Sequence, residues 1–162
     1  MEDRVQKAVE LFKSGYNCSQ SVVAAFADMY GFTQEQALRM GASFGGGIGR
    51  MRETCGAACG MFLVAGLETG ATEATDREGK AANYAVVQEL AAEFKKRNGS
   101  LICGELLGLK KKELVSNVPE ERTAQYYSKR PCAKMVEEAA RIWSERSEEH
   151  TSELQSRLHL VC

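Results

Sequence analysis

Five cysteines lie in the first 145 residues: Cys18, Cys55, Cys59, Cys103 and Cys132. The thiolate is the form of cysteine that ligates metals and attacks disulfides. Four of the five share one local setting. Cys18 follows Asn17 and Cys55 follows Thr54, both good helix N-caps; Cys103 stands three residues after Ser100, and Cys132 follows Pro131, which suits a helix start. Each is predicted in a first turn, where unpaired N–H groups and the positive end of the helix dipole favour an anion. A thiol in that position ionises more readily than the reference pKa of ~8.5. If the four starts converge, they offer four sulfurs and oriented donors to a negatively charged cluster. Cysteine is also among the most buried residue types, so core filling is the alternative for any one of them. Cys59, at i+4 from Cys55 on the same helix face, reads as a packing residue with an auxiliary thiol as the alternative.

The intervals of 37, 48 and 29 positions between the four match neither a zinc finger nor a clustered ferredoxin run. In Cys55-Gly56-Ala57-Ala58-Cys59-Gly60 the residues beside the cysteine lack bulk, so a second helix or an inorganic cluster can approach closely. Both histidines, His150 and His159, fall after residue 145. Ser–His and Cys–His pairs and histidine metal sites are thereby excluded from the body. The run Gly45–Gly49, followed by Arg50 and Arg52, has two readings: a phosphate cradle built from backbone N–H groups, or a tight connection near the cysteines. It lacks both the GxGxxG and the P-loop patterns, which favours the connection. The two arginines are candidates to offset the charge of a bound cluster. Lys110, Lys111, Lys112 and Glu113 read as a solvated face, and Tyr126 and Tyr127 as buried aromatics with polar tips, shielding of a site being the alternative.

These residues sit in a chain of 162 residues and 17.8 kDa, sized for one domain with or without a tail. With 21 basic against 22 acidic residues there is no positive excess for nucleic-acid phosphates or an anionic membrane. The longest uncharged apolar stretch, Thr54 to Leu67, is 14 residues, below the ~20 that span a bilayer, so no membrane insertion is expected. The N-terminus is charged and amphipathic, without a secretory or twin-arginine pattern. The expectation is a cytoplasmic protein with reduced cysteines.

The elements that must position the cysteines are helical. Val5, Ala8, Val9 and Phe12 make a stripe at helical period, stopped at Gly15. Asn17 with Gln20 opens a second helix that Gly31 ends, and Thr33 caps a third. Thr54 is the expected cap of a fourth over Cys55 to Leu67. A long amphipathic helix reaches about Lys96, Ser100 caps a short one, and residues 109–130 read as a loop. Pro131 opens the last helix, which carries Met135, Val136, Ala139 and Trp143. The prediction is an all-α fold, a compact bundle of about five to seven helices with a Gly-rich loop. From Arg146 the helical periodicity is lost. Residues 146–162 are expected to be a polar tail that resembles translated sequencing-adapter read-through, leaving 1–145 as a formally neutral cysteine-containing domain.

The segments GYNCSQSV (Cys18), FGGGIGRMRETCGAACG (Cys55), GSLICGELLG (Cys103) and PCAKMVEEAA (Cys132) resemble the redox-active protein family named for its C…CGAxxG…C…C pattern. The resemblance covers about residues 4–145. It implies a small bacterial or archaeal protein whose Cys18, Cys55, Cys103 and Cys132, with Gly56 beside them, hold an iron–sulfur cluster or another prosthetic group. It also implies a redox partner among oxidoreductases or transporter-linked proteins, beside which members are often encoded. Electron transfer through the cluster is the leading reading. The alternatives are a metal-free thiol–disulfide protein, using Cys55 with Cys59 or Cys18 with Cys103, and a helical module with a structural zinc site made by the four cysteines. The Ala- and Gly-rich helices would also suit a homodimer.

Overall fold

The structure, a computed structural model, describes residues 1–109 and 116–161. The lysine run 110–112 with Glu113 and the last cysteine, Cys162, lie outside them. Among the described residues there are eight α-helices: α1 (Glu2–Lys13), α2 (Cys18–Phe26), α3 (Gln34–Gly41), α4 (Gly56–Thr69), α5 (Arg77–Asn98), α6 (Cys103–Leu106), α7 (Ala124–Lys129) and α8 (Cys132–Val161). Two 3-10 turns, Ala27–Tyr30 and Ala42–Phe44, extend α2 and α3. The all-α expectation holds.

Helices α2 and α4 form the centre. In α2 Ser19 and every residue from Ser21 to Phe26 are buried, as is every residue from Gly56 to Met61 in α4. The two approach closely because α4 is built of small residues there. A Cβ on Gly60 would lie 2.9 Å from both the Ser19 carbonyl oxygen and Val22 Cβ. Around this pair, α1, α5 and α8 contribute Phe12, Phe94 and Trp143, all fully buried. The apolar stripe of α1 is used as its periodicity predicts, with Val5, Ala8 and Phe12 inward.

The capping chemistry read from the sequence holds at two starts. Asn17 with Gln20 and Thr33 with Gln36 make complete capping boxes. At two other starts it does not. Cys55 is itself the N-cap of α4, because Thr54 is drawn into an antiparallel bridge with Ile102. Ile102 is the N-cap of α6, while the Ser100 hydroxyl accepts from the Ile102 N–H at 2.9 Å and bonds the Glu105 carboxylate. The stretch read as loop over 109–130 contains the short helix α7, capped by Thr123. The loss of helical periodicity after Arg146 does not end α8, which continues to Val161 with residues 148–158 exposed. Periodicity reports a buried face, and this stretch has none; its backbone stays helical without one.

Candidate thiol site

Three of the four cysteines stand in first turns as their sequence setting implies, and Cys55 stands one position earlier than expected. Cys18, Cys103 and Cys132 are the first residues of α2, α6 and α8, and Cys55 is the N-cap of α4. All four line one cavity of about 390 Å³. One chain supplies all four of these cysteines. Two devices bring the helix starts together. The first is the Thr54–Ile102 bridge, where the Cys55 N–H donates to the Leu101 carbonyl (2.7 Å) and the Cys103 N–H to the Glu53 carbonyl (2.6 Å). The second is glycine. A Cβ on Gly56 would lie 2.8 Å from the Phe44 carbonyl oxygen and 3.3 Å from Cys18 Cβ, and one on Gly47 would lie 2.5 Å from Cys103 Cβ. Gly56 therefore serves the site by letting α4 and α2 start side by side.

The Gly-rich loop is a tight connection, and its polar groups face inward. The N–H groups of Ile48, Gly49, Arg50, Met51, Arg52 and Glu53 all donate to carbonyls between Ser43 and Ile48. Two residues of the run, Ile48 and Gly49, thus spend their N–H groups inside the turn, as a tight connection requires. The packing is bought with backbone strain: Ile48, Arg50 and Arg52 sit at φ of +64°, +61° and +63°. Left-handed backbone costs a non-glycine residue about 1–2 kcal/mol, most sharply for a β-branched one. Strain of this kind concentrates at functional sites. Here it belongs to a turn that carries Arg50 and Arg52 onto the cavity wall beside the cysteines.

The family described as "Putative redox-active protein (C_GCAxxG_C_C)" matches residues 16–146, most of the chain and all four of these cysteines. The chain belongs to that family. No curated protein and no solved structure matches it. The match begins after α1, although α1 supplies core residues. In this member of the C_GCAxxG_C_C family the motif segment reads Cys55-Gly56-Ala57-Ala58-Cys59-Gly60.

Ionisation of the thiols departs from the sequence expectation in this family member. Burial pushes Cys55 up to about 12, against the N–H groups of Ala57 and Ala58, which favour its thiolate without forming a cap hydrogen bond. Burial also raises Cys103, partly offset by Arg52, whose Nη1 lies 3.8 Å from the sulfur. Cys18 is raised by the adjoining Cys132 thiol, by burial and by the other neighbouring thiols. Cys132 alone of the four is lowered, by the Cys18 thiol first and then by Arg130, Arg122 and Arg52. Desolvation dominates at Cys55 and Cys103.

From 116–130 the sequence reading named Tyr126 but missed the two arginines that line the cavity with it, Arg122 and Arg130. Arg122 donates to the carbonyls of Phe12 (3.3 Å) and Tyr16 (3.1 Å), with its guanidinium 4.5 Å over the Phe12 ring. Arg130 adjoins Pro131-Cys132, a position that could have marked it. Tyr126 lines the cavity, whereas the Tyr127 hydroxyl donates to the Lys13 carbonyl at 3.1 Å and its ring packs on Phe12. Cys59 is buried but lies outside the cavity wall, its sulfur 3.8 Å from the Thr54 carbonyl oxygen, in agreement with a packing role. All five described cysteines are free thiols. Among the described residues no three Cys, His, Asp or Glu side chains gather around a single point as one metal ion requires. No helix among those residues is long and apolar enough to cross a membrane.

Proposed function

We propose that Cys18, Cys55, Cys103 and Cys132 hold an iron–sulfur cluster, through which this redox-active protein passes single electrons to an oxidoreductase or transporter-linked partner. The observation that carries this reading is that four sulfurs from four helix starts line one cavity that arginines also line. The donor set is soft and becomes anionic on ionisation, which fits thiolate-held iron better than oxygen-loving cations. A bound cluster supplies a one-electron couple. The chain's own groups do the rest: Arg50, Arg52, Arg122 and Arg130 compensate the charge of ionised thiols, Tyr126 limits water, and the close helix starts hold the sulfurs in place. A cytoplasmic location suits the free thiols.

The test is anaerobic purification followed by iron, sulfide and visible-absorbance measurement. Stoichiometric iron and sulfide are expected, lost in Cys→Ala variants at 18, 55, 103 or 132 and kept in Cys59→Ala. Colourless protein that stays iron-free after reconstitution would overturn the reading. Bound zinc without visible absorbance would point to a structural zinc site, which a cavity of this size favours less than a polynuclear group.

Cys18 and Cys132 stand close enough for each thiol to shift the ionisation of the other, which favours one second reading, a metal-free dithiol couple. Its pair differs from those the sequence pointed to. It predicts reversible loss of two thiols on oxidation and a Cys18–Cys132 cross-linked peptide.

A further inference from the structure

Three guanidiniums meet at one carboxylate oxygen beside the thiols. Oε1 of Glu120 lies 3.6 Å from Arg50 Nη2 and 3.9 Å from Arg52 Nη2, and it accepts a hydrogen bond from Arg130 Nη2. The three arginine side chains are only 20–22% exposed, whereas Glu120 is 42% exposed. The sheltered partners are thus the cations, and the anion is the one that comes in from the surface. Three positive charges share one negative charge, leaving an excess of positive charge on the wall of a cavity in the size range of small-molecule sites. The arrangement is not casual. Arg50 and Arg52 are held there by left-handed backbone, and Arg130 lies 5.7 Å over the Tyr126 ring. Arg50 also donates to the Ser116 carbonyl at 2.7 Å, which ties the segment bearing Glu120 across the opening.

We propose that Arg50, Arg52 and Arg130 form a binding subsite for a small oxyanion, the acid group of a ligand that enters the cysteine cavity, and that Glu120 is its internal stand-in. Guanidinium groups recognise carboxylate and phosphate through the same charge-assisted hydrogen bonds. The carboxylate in place demonstrates the fit of one such group. An incoming anion takes the position of Glu120, whose exposed side chain swings outward to solvent. The proposal concerns the arginines alone and goes beyond the reading of the thiols.

Calorimetric titration of the purified full-length protein with acetate and, separately, with phosphate tests it, at constant ionic strength set by chloride. Glu120→Gln removes the internal competitor and is expected to bind one of the two anions at least tenfold more tightly than wild type. Adding Arg52→Gln to that variant is expected to abolish the gain. The anion that responds identifies the ligand's acid group as planar or tetrahedral. Glu120→Asp, which withdraws the charge without deleting it, is expected to bind with intermediate affinity and serves if Glu120→Gln does not fold. Absence of saturable binding in these Glu120 variants, or equal binding by Glu120→Gln and the double variant, overturns the proposal and leaves Glu120 a structural ion pair. The readout uses neither iron nor electron transfer, so its failure and that of the cluster reading are separable.

Discussion

At Cys132 four groups favour one ionised sulfur: the adjoining Cys18 thiol most, and then Arg130, Arg122 and Arg52 with their positive charge. The opposite holds at Cys55, where burial dominates and lifts the thiol to about 12. The metal-free protein should therefore react unevenly with an alkylating agent at neutral pH. Cys132 is expected to modify at least ten times faster than Cys55 or Cys59, as peptide mapping by mass spectrometry would read out. Cys18→Ala removes the largest cause of the lowering, so the pH midpoint for Cys132 alkylation should move upward. An unchanged midpoint would show that the arginines alone set it. The sequence made the location of these sulfurs legible, because caps and prolines mark helix starts locally. Their ionisation was not legible, since it depends on how deeply the folded chain covers each one.

Among the elements, the Gly-rich loop carries the most specific constraints. Gly47 combines φ of +74° with a Cβ position 2.5 Å from Cys103 Cβ. Gly47→Ala is expected to cost about 2 kcal/mol or more and to displace Cys103. Urea denaturation together with iron content checks both effects. Ile48 offers the reverse experiment. It is half-buried at φ +64°. Replacing it by glycine trades lost burial and added chain entropy against relief of strain, for a net change within about 1 kcal/mol. An ordinary half-buried isoleucine would lose more. Five glycines in a row of six residues would be no clearer a signal than the four here, which already announce a non-helical connection. That three non-glycine residues also adopt left-handed backbone was hidden, because nothing in isoleucine or arginine encodes it. The short helices were read unevenly for a similar reason. Asn17 and Thr33 cap through local bonds visible in sequence, whereas Thr54 and Ser100 were diverted by a bridge between segments 48 residues apart.

For the whole molecule, burial of ionisable groups sets an alkaline limit. Cys55 rises from 9.0 to about 12 and Cys59 to about 11, while Tyr30 and Tyr126 rise from 10.0 to about 12. Above pH 9 the unfolded chain gives up protons that the folded chain keeps, so the folded state binds more protons and stability falls as pH rises. The melting temperature of the metal-free protein is expected to drop between about pH 9 and 11, and Cys55→Ser should flatten that decline. A profile that stays level would contradict the burial of these groups. The bundle architecture itself was readable from apolar periodicity. The packing of the 116–130 segment over the cysteines was not, since its anchors, such as Arg122 on the Phe12 ring, join residues 110 positions apart.

That distribution of sulfurs along the chain imposes an order on biogenesis. The first is made at position 18 and the last at 132, and ribosomes add about 5–20 residues per second. For on the order of ten seconds the earliest thiol waits on the nascent polypeptide without its neighbour. The pocket has its full set of sulfurs only after translation has passed α8's opening turn.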